Sequence, residues 1–212
     1  MKTTTKIQNL FLKSFIFALL IVFSACEKES LSENVTAVDA SAKSSPAAQQ
    51  GELTIVEIVI ANATDEEDPQ FTYLLKALVA TDLAGVFAGE DNYTVFAPTD
   101  AAFIAALGED FDFDNIDDDT KAFLTNVLLY HVTDGRRFSN SVLGNKNPKK
   151  IEMLNEAMIY VNSGGGIDTN DEGMEINANI VLPIEEDDPK LFDIAATNGV
   201  IHVIDAVLLP AE

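Results

Sequence analysis

Two histidines, one cysteine and 35 carboxylates are the side chains of this 212-residue sequence that could carry chemistry. A nucleophilic hydrolase needs a Ser or Cys within reach of a His that an acid orients, and the only candidates for the base are His131 and His202. No Gly-x-Ser-x-Gly elbow is present. His202 is set inside an apolar run, the ordinary place of a hydrogen-bonded core histidine rather than a ligand. Paired carboxylates could serve a glycosidase, yet 35 acids produce adjacent pairs without implying a cleft. Calcium is the more serious chemistry. Asp110, Asp112 and Asp114 have the alternate spacing of an EF-hand loop, but Asn115 stands where that loop needs Gly and Lys121 where it needs Glu. Asp168, Asn170, Glu172 and Gly173 fit the first half of such a loop, with Asn179 in the place of the closing Glu. Helix capping and solvated acidic loops account for both runs. The expectation is a non-enzymatic chain with no catalytic residue, no cofactor and no metal site.

The cysteine is explained by what precedes it. Lys2, Lys6 and Lys13 precede an apolar run from Phe15 to Phe23, and Ser24-Ala25 stand immediately before Cys26. That run is too short to cross a hydrocarbon core of about 30 Å, which takes roughly 20 helical residues, but it suits a signal peptide. No second cysteine exists to form an intrachain disulfide. The arrangement resembles a bacterial lipoprotein signal, in which Cys26 becomes the first residue of the mature chain and carries the acyl groups, with Phe23 in place of the usual Leu. On this reading residues 1–25 are the signal peptide, 26–52 the acylated Cys and a flexible tether, and 53–210 one folded domain. The tether is rich in Ser, Ala, Glu and Gln, and about 25 such residues span roughly 25–30 Å. Glu27-Lys28-Glu29-Ser30 resembles the acidic tract that sends some lipoproteins to the outer face of the outer membrane, so surface exposure is expected, with the periplasmic face as the alternative.

Charge narrows the partners. The chain carries a formal net charge of −22, and residues 1–25 contribute three lysines and no acid. Binding a phosphate backbone depends on Lys and Arg displacing counterions, so nucleic acid is excluded as a partner. Anionic headgroups are repelled for the same reason, leaving the lipid as the only attachment to a membrane. The acidity also keeps a surface protein soluble.

The elements that would position the remaining candidates follow from periodicity. Phe71, Leu74, Leu75, Leu78 and Val79 predict a helix from Phe71 to about Thr81, with Pro69 before it, and a short helix at Leu83–Phe87 follows. Tyr93–Phe96 is a strand that Pro98 ends. Thr99 or Asp100 caps a helix through Ala101, Phe103, Ile104 and Leu107, stopped by Gly108. Asp117, Asp118 and Asp119 open a further helix, with Phe123, Val127 and Tyr130 on one face and Leu124, Leu128 and His131 beside them. Beyond Arg137 the pattern alternates. Ala157–Val161, Met174–Asn177 and Ile180–Pro183 are predicted strands, Ser163–Gly166 a loop, Leu191–Ala196 one or two helical turns, and Val200–Leu209 a strand. Helices dominate the first half and strands the second, which is an α+β pattern.

Three segments, Tyr93-Thr94-Val95-Phe96-Ala97-Pro98-Thr99-Asp100-Ala101-Ala102-Phe103, Leu128-Leu129-Tyr130-His131-Val132-Thr133-Asp134-Gly135, and Asn198-Gly199-Val200-Ile201-His202-Val203-Ile204-Asp205-Ala206-Val207-Leu208-Leu209-Pro210, together resemble the fasciclin-like adhesion domain. The resemblance implies a wedge of two small β-sheets packed with several helices. It also makes Thr54–Asn62 a helix, against its strand-like Ile and Val content. Pro98, Thr99, Asp100, Asn198, Gly199, His202 and Asp205 are expected to be structural, with Asn198-Gly199 a turn of positive φ. Tyr130 and His131 are the pair the family associates with partner contact, although Tyr130 continues an apolar helix face. The function implied is adhesion, with an extracellular protein or polysaccharide as partner. The alternative is an accessory subunit of an outer-membrane uptake complex for glycans or other polymers.

Overall fold

Tyr93–Pro98 (β1) is built of β-branched and aromatic residues and is buried along all but its first residue, which places it inside a sheet rather than at its edge. The computed structural model describes residues 51–66, 69–169, 175–183 and 191–210. Cys26, the signal segment and the tether as far as Gln50 lie outside the described residues. Strand β1 pairs in parallel with Gly199–Ile204 (β8), Tyr93 opposite Gly199 and Pro98 opposite Ile204. On its other side β1 pairs antiparallel with Val132–Asp134 (β2), and β8 pairs antiparallel with Ile194–Ala196 (β7). The sheet order is therefore β2-β1-β8-β7. Strands β2, β1 and β8 come from the three segments on which the family resemblance rests.

The second sheet is antiparallel throughout, in the order Lys149–Glu152 (β3), Met158–Val161 (β4), Gly166–Asp168 (β5) and Ala178–Asn179 (β6). Backbone hydrogen bonds join the sheets, among them that of Asp205 N–H to the Asn179 carbonyl at 3.1 Å. Val181 N–H donates to the Val203 carbonyl at 2.8 Å, and Leu154 N–H donates to the Val132 carbonyl at 2.7 Å.

The helices are Ile55–Ala63 (α1), Thr72–Ala80 (α2), Ala84–Phe87 (α3), Asp100–Leu107 (α4), Asp118–Tyr130 (α5) and Ser139–Val142 (α6), with a 3-10 turn at Phe113–Asn115. The first is a helix despite its β-branched content. A capping box at Thr54 and Glu57 closes its first turn, and Ile55, Val56 and Val59 are buried against the core, so packing overrides propensity. Glu57 is held below the usual carboxylate range by the hydrogen bond from the Thr54 backbone. Thr99 caps α4 by accepting from Ala102 N–H, and Gly108, at φ +90°, ends it.

Two apolar clusters fill the domain. One gathers Ile55, Leu74, Leu78, Phe87, Phe103, Leu124, Leu128 and Ile201 between the helices and the first sheet. The other gathers Phe96, Tyr130, Ile151, Ile159, Ile167 and Ile204 between the sheets. On α5 the buried stripe is Leu124, Val127, Leu128 and Tyr130, while Phe123 is 51% exposed, so the apolar face is turned by one residue from the expected one.

Several expectations for the second half are corrected. Leu191–Ala196 is not helical, because Ile194–Ala196 finds its backbone partners on β8. Strand β8 stops at Ile204 rather than Leu209; beyond it Asp205 turns to Asn179 and Leu208 N–H donates to a histidine nitrogen instead of a ladder. Of the expected strand Met174–Asn177, Met174 lies outside the described residues and 175–177 are not a strand: Asn177 N–H donates to the Ile167 carbonyl at 2.8 Å while its side chain takes the Thr169 N–H and hydroxyl, and the strand is Ala178–Asn179. Of Ile180–Pro183 only Ile180 bridges, to Ile204. Helix α6 and strands β2, β3 and β5 were not expected, and all four are short.

Candidate functional site

Helix α5 ends at Tyr130 and hands His131 directly to β2, so both rings are delivered to the junction of the two sheets. Tyr130 is 0% exposed, and its hydroxyl donates to the Met158 carbonyl at 2.9 Å and the Thr169 carbonyl at 3.1 Å. Burial, and after it the nearby Asp168 carboxylate, push the phenol up to about 12. A buried ring of this size is worth about 3–5 kcal/mol to the fold. His131 is 2% exposed. Its Nδ1 lies 2.7 Å from the Val127 carbonyl and its Nε2 accepts the Leu208 N–H at 2.9 Å, which fixes the neutral tautomer with the proton on Nδ1. Burial lowers this imidazole to about 4, against the opposing pull of the Val127 carbonyl. Neither ring offers its own surface to a partner.

The other histidine is equally committed. His202 is fully buried on β8, with Nε2 2.9 Å from the Arg137 carbonyl and Nδ1 accepting the Asp193 N–H at 3.3 Å. Desolvation lowers its pKa. With both imidazoles engaged at both nitrogens, neither is placed to act as a general base toward a bound molecule.

The motif residues around these rings work as ties. Asp100 opens α4, yet its carboxylate reaches back to accept the N–H groups of Thr72 at 3.1 Å and Tyr73 at 2.9 Å, so it caps α2. Helix α2 has no cap of its own, being entered from Phe71 at φ +63°. Pro98 closes β1 without breaking it, because the following N–H, of Thr99, completes the pairing with Ile204 at 3.2 Å. Asn198 is a buried hub: Oδ1 accepts Ile55 N–H at 2.9 Å, and Nδ2 donates to the carbonyls of Phe87 at 2.7 Å and Gly89 at 2.9 Å. Gly199 is not in the positive-φ region expected of it. Its smallness is required because a Cβ there would collide with the Tyr93 carbonyl and Ile55. Asp205 accepts Asn179 N–H at 2.6 Å and its side-chain amide at 3.0 Å, which holds β8 to the second sheet.

In the acidic run, Asp112 caps the 3-10 turn, accepting Asp114 N–H at 3.0 Å and the Asn115 amide at 2.7 Å. Asp168 is buried in β5, and Asn170, Glu172 and Gly173 lie outside the described residues.

What is accessible beside the paired rings is a cleft of about 360 Å³ where β2 meets β3, lined by Thr133, Asp134, Arg137, Glu152, Met153, Leu154 and Glu156. The Thr133 hydroxyl crosses its floor to the Glu152 carbonyl at 2.6 Å. The lining mixes carboxylates, one guanidinium and apolar carbon. Periodicity could not have found it, since it forms from a three-residue edge strand and a turn 20 residues later.

The fasciclin domain profile matches residues 69–210. The chain belongs to the fasciclin family. The fasciclin domain here is 32% identical to Protein sll1483 of Synechocystis sp. over 80% of this chain and 81% of that one. It is 31% identical to periostin of Homo sapiens over 69% of this chain but 15% of periostin, a much longer protein. Among solved structures it matches a FAS1 domain pair from the insect cell adhesion molecule fasciclin I, with a TM-score of 0.45 and 16% identity over 74% of this chain and 51% of that chain. The α+β architecture of two small sheets and flanking helices is that of a fasciclin domain. No described helix is long and apolar enough to cross a membrane.

Proposed function

We propose that this fasciclin domain is a non-enzymatic binding module, held on the bacterial outer membrane by an acylated Cys26 and presented at the cell surface to extracellular proteins or polysaccharides. The observation that carries the reading is the commitment of the motif side chains. Tyr130, His131 and His202 spend every polar atom on internal hydrogen bonds, so the groups best suited to catalysis serve the scaffold and leave a mixed cleft and a charged exterior for recognition. Attachment rests on the Lys-rich start, the apolar run and Ser24-Ala25-Cys26.

A panel of matrix proteins and polysaccharides tests the function. The purified full chain should retain at least one member with saturable binding and release it chemically unchanged. Retention of none, or appearance of a cleaved product, would overturn the proposal.

A further inference from the structure

The cleft between β2 and β3 holds charges of both signs that do not neutralise one another. Arg137 lines it together with Asp134, Glu152 and Glu156. Among the described residues the ion pairs are Lys121 with Asp82 and His202 with Asp193, so no carboxylate of the cleft comes within ion-pair distance of the guanidinium. Arg137 is held where it stands. Its backbone N–H donates to the Thr94 hydroxyl at 2.8 Å, its carbonyl accepts from His202 Nε2 at 2.9 Å, and its Nε donates to the Asp134 carbonyl at 3.1 Å. Nη1 and Nη2 are left uncommitted among the described residues. A guanidinium fixed at Nε presents that pair as a fork, the geometry that takes a carboxylate through two parallel hydrogen bonds.

The acidic side of the cleft has its own irregularity. Glu156 stands in the turn between β3 and β4 at φ +67°, the left-handed region that suits Gly or Asn and strains a residue with a longer side chain. The turn is closed by Glu156 N–H donating to the Met153 carbonyl and Met153 N–H donating to the Ala157 carbonyl, both at 2.9 Å. Glycine would make the same two bonds with less strain. What glutamate adds is a carboxylate, exposed like that of Glu152 and lining the same cleft, and strain retained at a cleft is the mark of a group kept for binding.

The lining selects its occupant by exclusion. A lone anion meets three carboxylates on a chain of net −22, and a lone cation leaves the Arg137 fork unanswered. A sugar ring finds no aromatic side chain in the lining to stack on. An added peptide strand finds the edges taken, since the Val132 carbonyl already accepts Leu154 N–H and the Glu152 carbonyl accepts the Thr133 hydroxyl. A small molecule that carries both charges answers both sides, and about 360 Å³ is the scale of a small-ligand site. We infer that the cleft binds a free α-amino acid, with its carboxylate on the Arg137 fork, its ammonium toward Glu152 and Glu156, and its side chain along Leu154. Three carboxylates against one guanidinium favour a basic amino acid over a neutral one, and a neutral one over an acidic one.

This inference rests on the domain being a binding module, and its test separates the two. The purified full chain is titrated by calorimetry with lysine, leucine and glutamate, and with acetate, butylamine and glucose as single-feature controls. Lysine should bind saturably, leucine more weakly and glutamate most weakly, while the three controls show no binding over the same concentrations. Arg137→Gln should lose about tenfold or more in lysine affinity, the worth of one charge-assisted fork. The pair Glu152→Gln, Glu156→Gly should lose as much while its melting temperature holds or rises, because the turn is relieved. Lys76→Gln, on α2, should bind as wild type. Butylamine or acetate binding as tightly as lysine, or lysine affinity unchanged in the glutamate pair or in Arg137→Gln, overturns the amino-acid site. Absence of binding by all three amino acids also removes it, and a ligand still retained from the panel of matrix proteins and polysaccharides would then leave the module standing. Lysine bound as described with nothing retained from that panel would keep the site and remove the macromolecular partner.

Discussion

His131 shows how far a single residue's role can depend on its protonation state. Its Nε2 must accept from Leu208 N–H, so adding a proton there sets two donors against each other at a buried site. The folded imidazole is lowered to about 4 from 6.5, which means that the unfolded chain binds the proton first as pH falls. Stability is therefore fully present above about pH 6.5 and is lost as pH drops from there toward 4. A pKa difference of one between the folded and unfolded chain corresponds to about 1.4 kcal/mol. His131 alone should thus remove on the order of 2 kcal/mol between pH 7 and pH 5, and His202 acts in the same direction. Urea unfolding at the two pH values checks this, with His131→Gln as the control, since an amide keeps an acceptor for Leu208 and does not titrate. The variant should be less stable at pH 7 but lose less on acidification. Identical pH dependence in variant and wild type would show that the proton is taken up elsewhere.

At the scale of elements, the recurrent device is an acid that caps a helix distant in sequence. Asp100 caps α2, 27 and 28 residues away, and Asp193 accepts both the backbone N–H and the hydroxyl of Ser139 at 2.6 Å, capping α6 across 54 residues. Asp100→Ala should lower stability by about 1–2 kcal/mol, the usual cost of a lost cap, while Asp100→Asn should recover part of it; the midpoints of thermal unfolding decide, and an Ala variant as stable as wild type would remove the cap from the account. These ties explain what the sequence could and could not disclose. Helices α2, α4 and α5 were legible because periodicity and local caps such as Thr99 and Asp117 lie within a few residues of each other. The three motif segments were legible as a family resemblance, but not their pairing side by side in one sheet. The turn pair Asn198-Gly199 was legible as a pair but not in its mechanism, since the work is done by an amide reaching Ile55, Phe87 and Gly89 from the far end of the chain. The short strands β3 and β5, and the cleft beside β3, were hidden because three or four residues carry too little periodicity. Their pairing is decided by partners across the sheet.

For the whole molecule, the proposed anchoring sets charge against distance from a membrane. A chain of net −22 is repelled by an anionic bilayer, so the proposed attachment would have to come from a group that enters the hydrocarbon, for which the sequence offers Cys26. A single acyl chain binds reversibly, at about 0.8 kcal/mol per buried methylene, whereas two or more make the anchoring stable. The residues between Cys26 and the domain would then set a stand-off of roughly 25–30 Å, well beyond a Debye length of about 8 Å, so the acidic domain would be free of the repulsion that its own charge creates. Cys26→Ser should abolish incorporation of a fatty-acid analogue and move the protein from the membrane fraction to the soluble one, without altering the melting temperature of the domain. Incorporation equal to wild type would place the lipid elsewhere, and retention in the membrane fraction without any lipid would mean that the protein surface holds on by itself. Protease added to intact cells then fixes the side. Loss of the domain with periplasmic markers intact places it outside, where a binding module can meet matrix or a neighbouring cell, and full protection until the outer membrane is opened places it on the periplasmic face.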